Sequence, residues 1–139
     1  MKIAVVYWSS TGNTESMAQA VAEGAKKAGA ETELFTATEF DGGKMDGFDA
    51  VAFGCPAMGA EELEDTEFAP MFEGCEGKLS GKKIALFGSY GWGDGEWMRT
   101  WEETCQSKGA NLVCDSVICQ ETPDEDALDA CRKLGEALV

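Results

Sequence analysis

The sequence predicts an α/β protein whose parallel sheet is doubly wound, with helices on both faces. Short β-branched apolar runs alternate with stretches of helical periodicity along the 139 residues, and several runs end in loops rich in small polar residues. Apolar residues make up 44% of the chain, enough to bury one core, so residues 1–139 read as a single domain.

Lys2 to Trp8 is apolar and β-branched, which reads as a buried strand entering the small polar residues after it. From Asn13 to Ala28 the apolar positions Met17, Ala18, Val21, Ala22, Ala25 and Ala28 form one helical face, and Gly29 is placed to stop it. Glu31 to Ala37 is a weak strand, Ala50 to Gly54 a stronger one, and Lys83 to Gly88 the clearest. Thr66 to Cys75 reads as a short helix, provided Pro70 lies in its first turn. Gly95 to Lys108 carries Trp97, Met98, Trp101 and Cys105 on one face, and Asn111 to Cys119 gives a fifth strand. The last helix is expected to open on Thr122-Pro123-Asp124-Glu125, with Thr122 as cap and Pro123 as the first helical residue. Leu128, Cys131, Leu134 and Leu138 form its apolar face.

A net charge of −15 argues against nucleic acid and anionic membranes as partners. The chain has no histidine, which removes the commonest general base near neutral pH and leaves chemistry to a cofactor. Its six cysteines show no metal-ligand spacing and read as free thiols, with Cys75, Cys105 and Cys131 at apolar helical positions. No long apolar segment or signal-peptide pattern is present, so the expected location is the cytoplasm.

In parallel sheets of this kind ligands bind beyond the carboxyl ends of the strands. Three loops there could carry chemistry. Ser9, Ser10, Thr11, Gly12, Asn13 and Thr14 offer hydroxyls ahead of a helix N-terminus, a phosphate cradle. The loop lacks the lysine of a P-loop and the glycines of a dinucleotide fingerprint. No Lys or Arg occurs between Ala4 and Ala25, so a bound phosphate would rest on N–H groups, hydroxyls and the helix dipole. The second loop, Cys55-Pro56-Ala57-Met58-Gly59-Ala60-Glu61, puts a polarizable thioether before an acidic stretch. The third, Ser89-Tyr90-Gly91-Trp92-Gly93-Asp94-Gly95, holds Trp92 between glycines, where it is placed to stack on something flat.

Together, Ser-x-Thr-Gly-Asn-Thr after the first strand, Pro-Ala-Met-Gly before an acidic run and Gly-Ser-Tyr-Gly-Trp-Gly-Asp-Gly after the fourth strand resemble the short-chain flavodoxins over essentially the whole chain. The resemblance implies strand order 2-1-3-4-5 and one non-covalently bound FMN. It implies that the protein is not an enzyme but a low-potential carrier, using the semiquinone/hydroquinone couple between redox enzymes. By the same resemblance Ser9, Thr11, Asn13, Thr14 and Ser89 hold the phosphate, and Met58 and Trp92 sandwich the flavin ring. Glu61 accepts from flavin N3–H, and Gln120 contacts the pyrimidine side more weakly.

The family pattern also implies that the Gly59–Ala60 peptide rotates on the first electron, presenting the Gly59 carbonyl to N5–H. Pro56 stands where some members carry a phosphate-binding serine, and Ala60 where others have a more turn-adapted residue. The expected results are one hydroxyl fewer and a weaker semiquinone.

Five of the seven residues Glu61 to Glu67 are acidic. At about 10 Å in a water-like dielectric each repels added negative charge by about 0.4 kcal/mol, so together they lower a one-electron potential by on the order of 100 mV. The same charges suit partners with basic docking surfaces, met by a monomer. Two alternatives of related architecture remain. A phospho-acceptor receiver needs carboxylates at strand ends that here read Tyr7-Trp8-Ser9 and Phe53-Gly54-Cys55. A flavin-dependent reductase of small molecules fits poorly with short loops and no histidine.

Overall fold

The structure is a computed structural model that describes residues 1–59 and 61–139. Five parallel strands lie in the order β2-β1-β3-β4-β5, with β1 at Lys2–Tyr7, β2 at Glu31–Thr36, β3 at Ala50–Gly54, β4 at Lys83–Tyr90 and β5 at Asn111–Leu112. A sixth, β6 at Val117–Gln120, also pairs with β4 in parallel. The sheet thus has the predicted order, but the fifth strand is split. β5 pairs with Lys83 and Ile84, β6 with Phe87 to Tyr90, and residues 113–116 stand opposite only Ala85 and Leu86. The surplus residues bulge the strand, which bends it and re-aims its end.

The strands are buried on both faces because alternate residues feed different layers. In β1, Ile3 and Val5 join one core, and Ala4 and Val6 the other. The first core packs under α1 (Asn13–Lys27) and α5 (Glu125–Ala137). The second packs under α3 (Phe68–Cys75) and α4 (Glu96–Ser107). Between β2 and β3 runs α2 (Gly42–Met45), a single turn capped by the Asp41 carboxylate, which accepts from Lys44 N–H.

The predicted faces are buried: Met17, Ala18, Val21, Ala22 and Ala25 on α1, and Trp97, Met98, Trp101 and Cys105 on α4. Ala28 falls just past the end of α1. There Gly29 (φ 101°) reverses the chain, and Ala30 N–H donates to Ala25 O and Gly29 N–H to Lys26 O, the six-to-one and five-to-two bonds of a Schellman stop. The start of α5 differs from expectation. Asp124, not Thr122, is the cap, its carboxylate accepting from Ala127 N–H at 2.8 Å, and Pro123 precedes the helix. An aspartate directly ahead of the apolar face satisfies the same orphan N–H with a charge, so the cap moves two residues on. Pro70 is the third residue of α3, inside the first turn, where it removes no helical hydrogen bond.

Candidate functional site

The three loops converge at the carboxyl ends of β1, β3 and β4, on the side where the strand order reverses. A cavity of about 270 Å³ opens there. Its wall takes Ser9, Ser10, Thr11, Asn13 and Thr14 from the first loop, Pro56, Ala57 and Met58 from the second, and Ser89, Tyr90 and Gly91 from the third. Among the described residues no Lys or Arg lines it.

The phosphate cradle is built by backbone. Gly12 caps α1 in the left-handed region (φ 92°), where a side chain would be strained, and no side chain caps the helix. The N–H groups of the first turn are therefore left for a ligand. Ser9 Oγ accepts from Gly12 N–H at 3.1 Å, and Ser16 Oγ donates to Gly12 O at 3.0 Å, which fixes the turn. Thr14 and Ser89, both buried, bring their hydroxyls within 3.0 Å of each other and so join the first and third loops.

The second loop is a small hairpin. Met58 and Glu62 exchange both backbone hydrogen bonds, at 2.8 and 2.9 Å. Gly59 (φ 50°) and Glu61 (φ 56°) take left-handed backbone at its tip. For Glu61 that conformation is uncommon and marks stored strain at the site. The expectation about Ala60 lies outside the described residues. Glu61 Oε1 is buried with no hydrogen-bond partner among the described residues, and it lies where a side chain on Gly93 would be: a Cβ there would come within 2.5 Å. A buried, unpartnered carboxylate oxygen fits a donor supplied by a ligand.

In the third loop Trp92 is 64% exposed, a large aromatic with its surface free. Tyr90 instead packs on Trp97, ring centroids 5.5 Å apart, and the Trp97 indole N–H donates to Cys55 O at 3.1 Å. Ala57 N–H donates to Ser89 O (3.0 Å), tying the second loop to the third. Gln120 Nε2 donates to Gly91 O at 3.4 Å, holding the third loop from outside rather than lining the cavity.

Three residues escaped the sequence reading. Glu121 lines the cavity in left-handed backbone (φ 58°), with its N–H donating to Tyr90 O at 2.7 Å; nothing local in the sequence marks it. Glu64 was read with the acidic run but is buried. Its carboxylate accepts from the N–H groups of Thr66 (2.9 Å), Glu67 (2.7 Å) and Phe68 (2.9 Å) and from the Thr66 hydroxyl. Glu67, read with the same run, accepts from the Trp8 indole N–H at 2.8 Å. Thr66 to Phe68 opens α3, so the Glu64 carboxylate meets orphan donors and the positive end of the helix.

Burial alone would raise the Glu64 pKa, but the hydrogen bonds from Thr66, Phe68 and Glu67 outweigh it and hold the group at about 2. Its ordinary value is 4.5, so the stability it contributes is complete above about 4.5 and is lost as pH falls toward 2. Urea unfolding of the apoprotein across that range should show a steeper loss in the parent than in Glu64→Gln; equal slopes would exclude this role.

Four of the six thiols are buried, and Cys114 and Cys119 are half-buried. Burial pushes Cys55, Cys105 and Cys131 up to about 12 and Cys75 to about 11. No metal-binding cluster of His, Cys, Asp or Glu occurs among the described residues.

Comparisons with known proteins identify the family and the fold. The family model described as Flavodoxin matches residues 5–135. Flavodoxins of Megasphaera elsdenii and Clostridium beijerinckii are each 43% identical over 135 residues. The match covers 97% of this chain in both cases, and 96% and 97% of the relatives respectively. The solution structure of two-electron reduced Megasphaera elsdenii flavodoxin superposes with a TM-score of 0.90 at 43% identity, covering 98% of this chain and 97% of that one. A flavodoxin from the Archaea gives 0.87 at 28% identity, covering 99% and 96%. With its fold, its three loops and full-length relatives all in agreement, the chain belongs to the flavodoxin family.

Proposed function

We propose that residues 1–139 act as one FMN-binding domain that carries single electrons at low potential between redox proteins and is not itself an enzyme. The observation that carries this reading is the cavity in which an uncapped helix N-terminus meets Met58 of the second loop and Tyr90 and Gly91 of the third, with no Lys or Arg among its described lining residues. The exposed Trp92 follows Gly91, and the unpartnered Glu61 oxygen lies outside that lining, against Gly93. FMN supplies the one-electron chemistry when bound. The chain supplies the rest. Ser9, Ser10, Thr11, Asn13, Thr14 and Ser89 bind the phosphate through hydroxyls and N–H groups, with Gly12 shaping the turn. Met58 and Trp92 would cover the ring faces, and the Glu61 carboxylate would accept a hydrogen bond from the flavin N3–H. Pro56, Ala57, Gly59, Ala60, Tyr90, Gly91 and Gly93 shape the ring's surroundings, and Gln120 steadies the third loop.

No positive side chain compensates the bound phosphate, and Glu62, Asp65 and Glu67 are exposed on the acidic loop. Both features oppose added negative charge, by about 0.4 kcal/mol per carboxylate at about 10 Å, and so lower the potential. The same exposed carboxylates suit redox partners with basic docking surfaces, reached by a monomer in the cytoplasm. No described helix is long and apolar enough to cross a membrane.

The visible spectrum of the purified protein, followed by titration of the apoprotein with FMN, tests the proposal. A yellow protein with one FMN per chain is expected. A protein that remains colourless and takes up no FMN would refute it. Turnover of quinones with NAD(P)H and no added reductase would favour a flavin enzyme instead.

A further inference from the structure

The second loop has to hold Met58 and Glu61 in register with a phosphate bound on the first loop, yet the two loops rise from different strands. Among the described residues Trp8 links them twice: its backbone N–H donates to Gly54 O at 3.0 Å at their roots, and its side chain reaches further into the second loop. Trp8, the residue just before Ser9, donates its indole N–H to Glu67 Oε1 at 2.8 Å. The N–H of that same Glu67 donates to Glu64 Oε1 at 2.7 Å. Glu64 in turn faces back into the loop, its own N–H donating to Cys55 Sγ at 3.4 Å at the end of β3. Between Cys55 and Glu64 the Met58–Glu62 pair closes the hairpin. The chain Trp8–Glu67–Glu64–Cys55 thus runs from the root of the phosphate loop to the root of the ring loop through one buried carboxylate.

We propose that Glu64, with Glu67 and Trp8, is a positioning strut that sets the ring-side loop against the phosphate loop, so that phosphate and ring are bound cooperatively. The proposal rests on the FMN reading above. Glu64 does not line the binding cavity and acts through the residues it holds. Four donors converge on its carboxylate: three backbone N–H groups and the Thr66 hydroxyl. A carboxylate so engaged has one orientation, which passes its rigidity to both ends of the strut. A cap serving α3 alone would need neither the Trp8 link nor the contact with Cys55.

Trp8→Phe and Thr66→Val test this without changing any charge, so a moved potential reports position and not electrostatics. Affinities for FMN and for riboflavin, which lacks the phosphate, are measured with both reduction potentials. Leu138→Ala serves as a control: Leu138 is buried in the opposite core layer, so its truncation lowers stability away from the site. Trp8→Phe should weaken FMN by about tenfold, the loss of one hydrogen bond to a charged group, and riboflavin by clearly less. The potential for the second electron should shift in both variants, and the double variant should lose less than the sum of the two. Wild-type FMN affinity, an unchanged FMN-to-riboflavin ratio and unmoved potentials in both variants would reduce Glu64 to a helix cap and overturn the strut. If the wild-type protein itself binds no FMN, the functional reading fails first and the strut with it.

Discussion

Replacing Trp92 with alanine should weaken FMN binding by about tenfold to a hundredfold, since stacking of a flat heterocycle on an indole is worth about 1–3 kcal/mol. The stability of the apoprotein should barely change. The indole is 64% exposed and its loop is flanked by glycines, so little packing is lost with it. Trp92→Phe should recover part of the affinity, because the flat face returns. Trp97→Ala makes the opposite case: Trp97 is 2% exposed and its N–H is bonded to Cys55 O, so its loss should unsettle the core. Fluorescence titration with FMN alongside urea unfolding separates the two. An unchanged FMN affinity for Trp92→Ala would remove this residue from the ring-binding surface.

Gly24→Ala or Gly135→Ala should cost about 3 kcal/mol or more, lowering the apoprotein melting temperature by about 10 °C for a chain of this size. These glycines lie where α1 and α5 cross. A Cβ on Gly24 would stand 1.9 Å from Arg132 O, and one on Gly135 2.1 Å from Val21 O, in each case against the facing helix backbone, which cannot swing aside. The crossing is further clamped by Arg132, which pairs with Glu23 of α1 and with Glu125 of its own helix. Gly74→Ala in α3 is the internal control. Nothing lies within 4 Å of its Cβ position, so the better helix former should be neutral or mildly stabilising. Thermal unfolding of the three variants checks the contrast, and a Gly24→Ala protein as stable as the parent would mean that α1 and α5 do not approach this closely.

Much of the fold was legible because burial leaves a pattern in sequence. The continuous apolar runs of β1 and β3, buried on both faces, and the helical faces of α1 and α4 each serve a buried surface. The split of the fifth strand was not legible. Residues 113–116 include Val113 and Cys114, which continue an apolar run, and only the register of β5 and β6 against β4 shows that two residues are surplus. The α5 cap was misplaced because Thr122 and Asp124 are both good caps with compatible neighbours, and local preference could not rank them.

At the site, the sequence by itself determined the three loops, their place after β1, β3 and β4, and the lack of a cation near the phosphate cradle. These are properties of residue type and strand order, which short-range pattern encodes. Only the tertiary structure decided which member of the acidic run is buried. Glu64 reads like its neighbours in sequence, but the turn into α3 folds its carboxylate onto the N–H groups of Thr66, Glu67 and Phe68, which make a buried charge tolerable, while its own N–H donates to Cys55 Sγ at the end of β3. The roles of Glu121 and of the Trp8–Glu67 link depend on contacts between residues distant in the chain, and such contacts leave no periodic trace.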